Sequence, residues 1–243
     1  MCTHKATDIA AIPALFRGVV SESTAFVIIQ NGVGNEVPFR ALYPRNTIIS
    51  CVTWVGASQP RPGLVKHTSA EDMQIGLYHN DAADSALDTE RLKSFASLLE
   101  EGKTIFQIVD DIQRKRWEKV VWNAAWNPLT TLTLVDTKTW LESSDQAHAV
   151  TIRLMREMID IAQRCNVPLT YDLADELMAK VKTMGRIGSS MQQDAKAGRP
   201  LEVDVILGHP VQKAREFGMD TPVLDTVFAL TTAVHRRIIE TGA

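Results

Sequence analysis

The chain has 243 residues, of which 45% are hydrophobic and 23% are charged, and its formal net charge is −3. This composition is typical of a globular protein with one large or two small domains, and no apolar run reaches the roughly 18 residues of a membrane span. The slightly negative charge provides no basic field, so neither a nucleic acid nor a membrane is expected as a partner.

The first hundred residues alternate between strand and helix patterns. Short apolar, β-branched runs bounded by Gly, Pro or Asn-Gly predict strands over residues 24–29, 47–55, 64–67, 73–77 and 103–109. A helix that opens at Asp88 has its apolar residues at helical spacing, namely Leu92, Phe95, Leu98 and Leu99. This alternation predicts α/β packing.

From Asp110 onward the strand signals stop. An apolar stripe predicts a helix over residues 149–165, which Asn166 is expected to end in the left-handed conformation. Thr170 is expected to cap the next helix, whose predicted inward residues are Leu173, Leu177, Val181 and Met184. Thr221 and Pro222 predict the start of a final helix. We therefore predict two domains, an α/β domain over residues 1–110 and a helical domain over residues 111–243.

The helix predicted over residues 116–129 carries an unusual polar row. Lys119, Asn123 and Asn127 are four residues apart and share one face, while the remaining face is rich in Val, Leu and Trp. One interpretation is a buried Lys neutralised by a carboxylate, with both Asn side chains bonded to backbone. The other is a cation directed at an oxygen that becomes negative during a reaction. The helix alone leaves both interpretations open.

Two polar segments allow a structural and a functional interpretation in the same way. Residues 30–36 (QNGVGNE) follow a strand and read as a turn, without the spacing of a GxGxxG motif. Residues 189–194 (SSMQQD) and 198–204 (GRPLEVD) allow two predictions. They form either a surface loop with a capping Ser and a solvated carboxylate, or part of a functional site.

Cysteine and histidine are too dispersed to predict a metal site or a disulfide framework. Cys2, Cys51 and Cys165 are far apart and lack CxxC spacing, which favours a reducing compartment. The six histidines include no HxxxH pair, so no metal is expected. Lys5 and Asp8 interrupt any apolar signal-peptide core. The cytoplasm is therefore the expected location.

Several segments resemble one family when they are taken in order. They are residues 3–6 (THKA), 30–36, 63–68 (GLVKHT), 119–130 (KVVWNAAWNPLT), 189–194 and 202–204 (EVD). In this combination the chain resembles the ketopantoate reductases, also called 2-dehydropantoate 2-reductases, along nearly its whole length.

The resemblance implies a Rossmann-type NADP(H) domain followed by a helical domain, with the active site in the cleft between them. It implies that Lys119 acts on the ketone oxygen, that Asn123, Asn127, Ser190 and Glu202 hold the substrate, and that Lys5 and Asn31 lie where cofactor and substrate meet. The implied reaction is NADPH-dependent reduction of 2-dehydropantoate to pantoate for pantothenate synthesis. Another branched 2-oxo acid is an alternative substrate, and a homodimer is a candidate assembly.

The chain departs from the family in one respect. It contains no GxGxxG motif, and residues 2–5 resemble the end of the fourth strand of the family's fold. The expected fold is thus an incomplete Rossmann-type domain without its first βαβ units, plus the helical domain. Three explanations stay open: a truncated or fragmentary reductase, a degenerate non-catalytic paralogue, or a chain completed by another polypeptide. Weak NADPH binding by these 243 residues is expected in each case.

Overall fold

The computed structural model describes residues 1–80 and 84–241. It divides into two compact units. Unit 1 comprises Met1–Asn31 and Asn35–Lys115, and unit 2 comprises Gly32–Gly34 and Arg116–Ala243. The main division therefore falls within a helix, whereas the sequence places the domain boundary at residues 110–111.

Unit 1 contains a mixed sheet, within the described residues, of four strands in the order β1-β2-β3-β4. Strand β1 (Phe26–Ile29) is parallel to β2 (Ile48–Arg61), β2 is antiparallel to β3 (Leu64–Leu77), and β3 is parallel to β4 (Gln107–Ile108). An isolated bridge places Cys2 parallel to Ile28 beside β1.

Three helices accompany this sheet: α1 (Ile12–Leu15), α2 (Val37–Leu42) and α3 (Ser85–Glu101). Helix α3 begins before the predicted Asp88 because the Asp84 carboxylate accepts the N–H groups of Ala86 and Leu87, at 2.9 and 3.2 Å. The mixed sheet with its helices confirms the predicted α/β fold of the first part of the chain.

The core of unit 1 lies on both faces of the sheet. Along β1 the side chains alternate, so Val27 packs in one apolar cluster while Phe26 and Ile28 pack in another. The first cluster also receives Leu92 and Phe95 of α3. Both faces of β1 and of the first part of β2, which is parallel to it, are thus covered, as parallel strands of α/β proteins require.

Three strand predictions are wrong in extent. The segments expected at residues 64–67 and 73–77 belong to one continuous strand, β3, which pairs with β2 from Leu64 to Leu77 with register shifts near Gly56. Antiparallel backbone bonding does not require apolar side chains. The polar residues between the two predicted segments therefore continue the strand instead of connecting two strands. The strand expected over residues 103–109 is reduced to β4, whose two residues are exposed.

The regular secondary structure of unit 2 is entirely helical in its described residues, which confirms the predicted helical second domain. Its helices are α4 (Ile112–Thr133, of which residues 112–115 belong to unit 1), α5 (Thr137–Glu142), α6 (Asp145–Arg164), α7 (Asp172–Thr183), α8 (Ser190–Lys196), a π-helical turn (Asp204–Gly208) that continues into α9 (His209–Glu216), and α10 (Pro222–Thr241).

The predicted helix ends are partly correct. Asn166 adopts the left-handed conformation, with φ of 61°, directly after α6, as expected. Thr170 does not cap α7, because the N-cap residue is Tyr171 and the Thr170 hydroxyl donates instead to the carboxylate of Asp172 at 3.3 Å. Met184, expected to face inward, follows the end of α7 and is exposed.

Candidate functional site

Helix α4 buries two of the three members of the polar row predicted from the sequence, whereas the third, Lys119, is half-buried. Asn123 and Asn127 are only 6% and 5% exposed, although both side chains are polar. Val121, Trp126 and Leu129 are also buried, so the helix is surrounded by protein along this stretch. A buried row of carboxamides on a helix is costly unless each group finds a hydrogen-bond partner. This stretch of α4 is therefore a candidate binding site.

Lys119 has a strongly perturbed amine. Burial and, to a smaller extent, the nearby positive charge of Arg116 lower the pKa of Lys119, the carboxylate of Glu202 acts in the opposite direction, and the net result is a pKa of about 8. Glu202 itself is 6% exposed. The structure thus places a buried carboxylate within electrostatic range of the amine, and the amine does not behave as one in bulk water.

Arg116 is a component of this site that the sequence did not single out. Its side chain is 2% exposed, and Nη1 donates to the carbonyl oxygen of Gly32 at 2.9 Å. Because Arg116 and Lys119 are three residues apart on α4, their charges repel each other. The sequence signal that could have identified Arg116 is that it and Lys119 are two cations on a helix face that is predicted to be buried.

Gly32 takes part in this arrangement through its backbone. It has a φ of 86°, and a Cβ at this position would lie 2.5 Å from both the Cβ and the carbonyl oxygen of Val205. The next residue, Val33, donates its N–H to the same carbonyl oxygen at 2.9 Å. Only glycine fits this close approach without displacement.

The start of α8 is bonded to the second half of α4. The hydroxyl of Ser189 accepts the N–H of Gln192 as the helix cap, lies 2.7 Å from the hydroxyl of Thr130 and donates to the carbonyl of Asn127 at 3.4 Å. The Gln192 amide donates to the carbonyl of Thr130 at 2.8 Å. Ser190, the first residue of α8, is exposed, and the contacts to the Asn127 turn of α4 are made by its neighbour Ser189.

Residues 189–204 do not form a surface loop. Asp194 is 4% exposed and accepts hydrogen bonds from the Arg199 guanidinium at 2.9 Å, while Leu201 is 1% exposed and donates its N–H to Nδ1 of His235 at 3.0 Å. The capping role expected for a Ser is correct, but the carboxylate of Glu202 is buried rather than solvated. This part of the chain therefore positions Glu202 within unit 2.

Lys5 and Asn31 lie in unit 1, at the carboxyl ends of two neighbouring parallel segments. Cys2 pairs with Ile28 of β1, and Lys5 and Asn31 follow these two segments directly. The side chain of Gln30 donates to the carbonyl of His4 at 2.9 Å, which ties the two chain ends together. Lys5 is exposed and Asn31 is half-buried. In open α/β sheets, ligands bind outside this carboxyl edge.

The described residues bear on two further predictions. No group of three or more His, Cys, Asp or Glu side chains among residues 1–80 and 84–241 is arranged to hold a metal ion. Over the same part of the chain, none of the helices combines the length and the apolar character needed to cross a bilayer.

Two protein-family models match the chain. The model described as "Ketopantoate reductase PanE/ApbA" matches residues 1–80, and "Ketopantoate reductase PanE/ApbA C terminal" matches residues 111–235, which is more than half of the chain.

Solved structures with the same fold include three informative examples. The 2-dehydropantoate 2-reductase from Methylococcus capsulatus is 30% identical, with a TM-score of 0.85 over 97% of this chain and 73% of its own. A dimeric ketopantoate reductase from Staphylococcus aureus is 22% identical, with a TM-score of 0.80 over 97% of this chain and 77% of its own. A D-mandelate dehydrogenase solved with NADH and anilino(oxo)acetate is also 22% identical, with a TM-score of 0.83 over 97% of this chain and 75% of its own.

Proposed function

This chain belongs to the ketopantoate reductase family, and from that premise we propose that it reduces the ketone of 2-dehydropantoate to the hydroxyl of pantoate, in the synthesis of pantothenate. The observation that carries the proposal is the amine of Lys119, whose pKa is lowered to about 8 within a buried polar row and close to a buried carboxylate. A buried amine poised near neutrality is what proton donation to a ketone oxygen needs.

In the proposed reaction Lys119 is the acid. As hydride reaches the carbonyl carbon, the carbonyl oxygen gains negative charge, which the ammonium of Lys119 stabilises and then neutralises by giving up its proton. The neutral amine is afterwards reprotonated from solvent. A pKa of about 8 makes the ammonium a stronger acid than an exposed lysine while keeping most of it protonated at neutral pH.

We propose that Asn123, Asn127, Ser190 and Glu202 hold the substrate. All four lie in unit 2, and the contacts between α8 and α4 support the placement of Ser190 beside Asn127. Carboxamides and a hydroxyl bond a carboxylate or hydroxyl without adding charge that would compete with Lys119. The carboxylate of Glu202 accepts a hydrogen bond from the substrate hydroxyl and orients it.

NADPH is the proposed cofactor, and bound NADPH supplies the hydride. Lys5 and Asn31 fit this role, because an exposed ammonium and a half-buried carboxamide follow two adjacent parallel segments at the ligand-binding edge of the sheet. Phosphate binding is the weak part of the arrangement, since these 243 residues contain no GxGxxG motif. We therefore propose that the 243-residue chain alone binds NADPH weakly and is impaired as an enzyme.

A second candidate is the same chemistry on another branched 2-oxo acid. The fold shared with the D-mandelate dehydrogenase, solved with an oxo acid in its ternary complex, favours this variant. A panel of branched 2-oxo acids, each followed through NADPH consumption at 340 nm, separates the two candidates. Selective turnover of 2-dehydropantoate supports the first, and equal or better turnover of another acid supports the second. Absence of turnover with every acid, in a preparation that binds NADPH, would favour a non-catalytic paralogue.

Assembly and location also stay proposals. The dimeric ketopantoate reductase that shares the fold supports a homodimer, which light scattering coupled to size-exclusion chromatography would test. The cytoplasmic location is a prediction from the separated cysteines, of which Cys2 and Cys51 are buried free thiols.

A further inference from the structure

Two buried hydrogen-bond donors on α4 have no acceptor in the part of the chain that the structure describes. Nδ2 of Asn123 and Nε1 of Trp126 are both buried, and neither has a hydrogen-bond partner among residues 1–80 and 84–241. Trp126 is only 2% exposed. By contrast, Nε1 of Trp140 donates to the hydroxyl of Thr151 at 2.9 Å. Because a buried donor without an acceptor destabilises the folded state, these two donors indicate an acceptor that a ligand supplies.

The two donors belong to neighbouring residues on the surface of one helix. Asn123 and Trp126 are three residues apart on α4, so they are neighbours on the helix surface, with their Cβ atoms about 5–6 Å apart. The indole of Trp126 packs edge-on against that of Trp122, with ring centroids 5.7 Å apart and an interplanar angle of 66°. This packing holds the ring of Trp126 in place, so the direction of its N–H is set before any ligand binds.

Charge near these donors favours an anion. Lys119 lies one helical turn before Asn123, and Arg116 lies one turn before Lys119, whereas Glu202 is the carboxylate that acts on the Lys119 amine. Among these three side chains, two cations and one carboxylate leave a net positive charge. A carboxylate group has two oxygens that only accept hydrogen bonds, which matches a pair of N–H donors.

We propose that Trp126 Nε1 and Asn123 Nδ2 together bind the carboxylate of the 2-oxo acid. Trp126 is then a substrate-binding residue as well as part of the core. The inference rests on the proposed function, since it takes a 2-oxo acid as the ligand of this unit. It adds a specificity element, because a neutral ketone of the same shape would leave both donors buried and unpaired.

The test is Trp126→Phe, which removes the N–H and keeps most of the ring. Isothermal titration of 2-dehydropantoate into the full chain should show a Kd raised about tenfold or more, as expected for loss of a hydrogen bond to a charged group. Binding of the corresponding methyl ketone, in which a methyl group replaces the carboxylate, should not change. An unchanged Kd for the acid, equal weakening for the acid and the methyl ketone, or no binding of the acid by the wild-type chain would each overturn the proposal.

Trp140→Phe is the matched control, since it removes an indole N–H that has an intramolecular acceptor. It should lower the free energy of unfolding and leave the Kd of 2-dehydropantoate unchanged, whereas Trp126→Phe should not lower the free energy of unfolding. A fall in stability with Trp126→Phe equal to that with Trp140→Phe would also count against the proposal, since it would indicate an intramolecular bond.

Turnover separates this inference from the proposed function. If the wild-type chain binds the acid, the Trp126→Phe variant binds it weakly and no form reduces it, the carboxylate site stands and the reductase assignment fails. If the wild-type chain reduces 2-dehydropantoate and Trp126→Phe leaves KM unaltered, the reductase assignment stands and the role of Trp126 fails.

Discussion

The carboxylate of Glu202 opposes the loss of the proton from Lys119. Burial and the positive charge of Arg116 act in the other direction, and the pKa of Lys119 is lowered to about 8. The balance keeps the amine mostly protonated at neutral pH and still able to give the proton up. Replacing Glu202 or Arg116 should therefore change proton transfer by Lys119 more readily than it changes the fold.

Lys119→Ala should lower kcat by about 10²- to 10⁴-fold, the usual range for loss of a general acid, in any form of the protein that reduces 2-dehydropantoate. The Kd of NADPH, measured by fluorescence titration, should change little, because Lys5 and Asn31 are its proposed contacts. Lys138→Ala is the control, since Lys138 is an exposed lysine of unit 2 paired with Glu142. Unchanged turnover in Lys119→Ala would remove this residue from the reaction.

The pH dependence of kcat should report the proton on Lys119. We expect kcat for ketone reduction to fall about tenfold per pH unit above pH 8, because the ammonium is the acid and its pKa is about 8. In Glu202→Gln this limb should move to lower pH, since the carboxylate of Glu202 raises the pKa. A limb at the same pH in both proteins would show that another group titrates.

Burial of Lys119 should make stability depend on pH in a defined direction. The amine loses its proton at about pH 8 in the folded chain and near 10.5 when unfolded, so between these values the unfolded chain binds more protons and stability rises with pH. Below pH 8 the protonated amine costs up to about 3 kcal/mol.

Lys119→Met should consequently raise the free energy of unfolding at pH 7, as urea titrations would show. Its advantage over the wild-type chain should shrink towards pH 10.5. A less stable variant at pH 7 would contradict the desolvation of this amine.

Gly32→Ala should destabilise the protein more than Gly63→Ala. Both glycines have positive φ, of 86° and 79°, so both alanines carry backbone strain. Only at Gly32 would the new Cβ meet protein, at 2.5 Å from Val205, whereas nothing lies within 4 Å at Gly63. We expect an additional cost of about 1–3 kcal/mol for Gly32→Ala, measured by urea unfolding. Equal costs would mean that Val205 moves aside freely.

The 243-residue chain should bind NADPH weakly or not at all. The pyrophosphate of a dinucleotide needs a glycine-rich turn at a helix N-terminus, and these residues contain no GxGxxG motif. Following NADPH fluorescence while the chain is titrated tests this expectation. A micromolar Kd would show that other parts of the chain hold the phosphates.

The sequence predicted which residues share a face of helix α4 better than it predicted what surrounds that helix. Four-residue spacing was enough to align Lys119, Asn123 and Asn127 on α4, because helix geometry is local. It could not predict the pKa of Lys119, or that the indole N–H of Trp126 lacks an acceptor among the described residues, since both depend on what packs around the helix. The β2–β3 hairpin shows the same limit, because its length is set by backbone pairing rather than by side-chain pattern.

Residues Gly32–Gly34 interrupt unit 1 and belong to unit 2. The two units are therefore not consecutive in the chain. A gene segment encoding only residues 116–243 would omit a short piece of the second unit. Arg116 would lose the carbonyl of Gly32, and Val205 would lose the N–H of Val33. Anyone dissecting this protein into separately expressed pieces should expect the helical piece to be incomplete unless those three residues are supplied by another route.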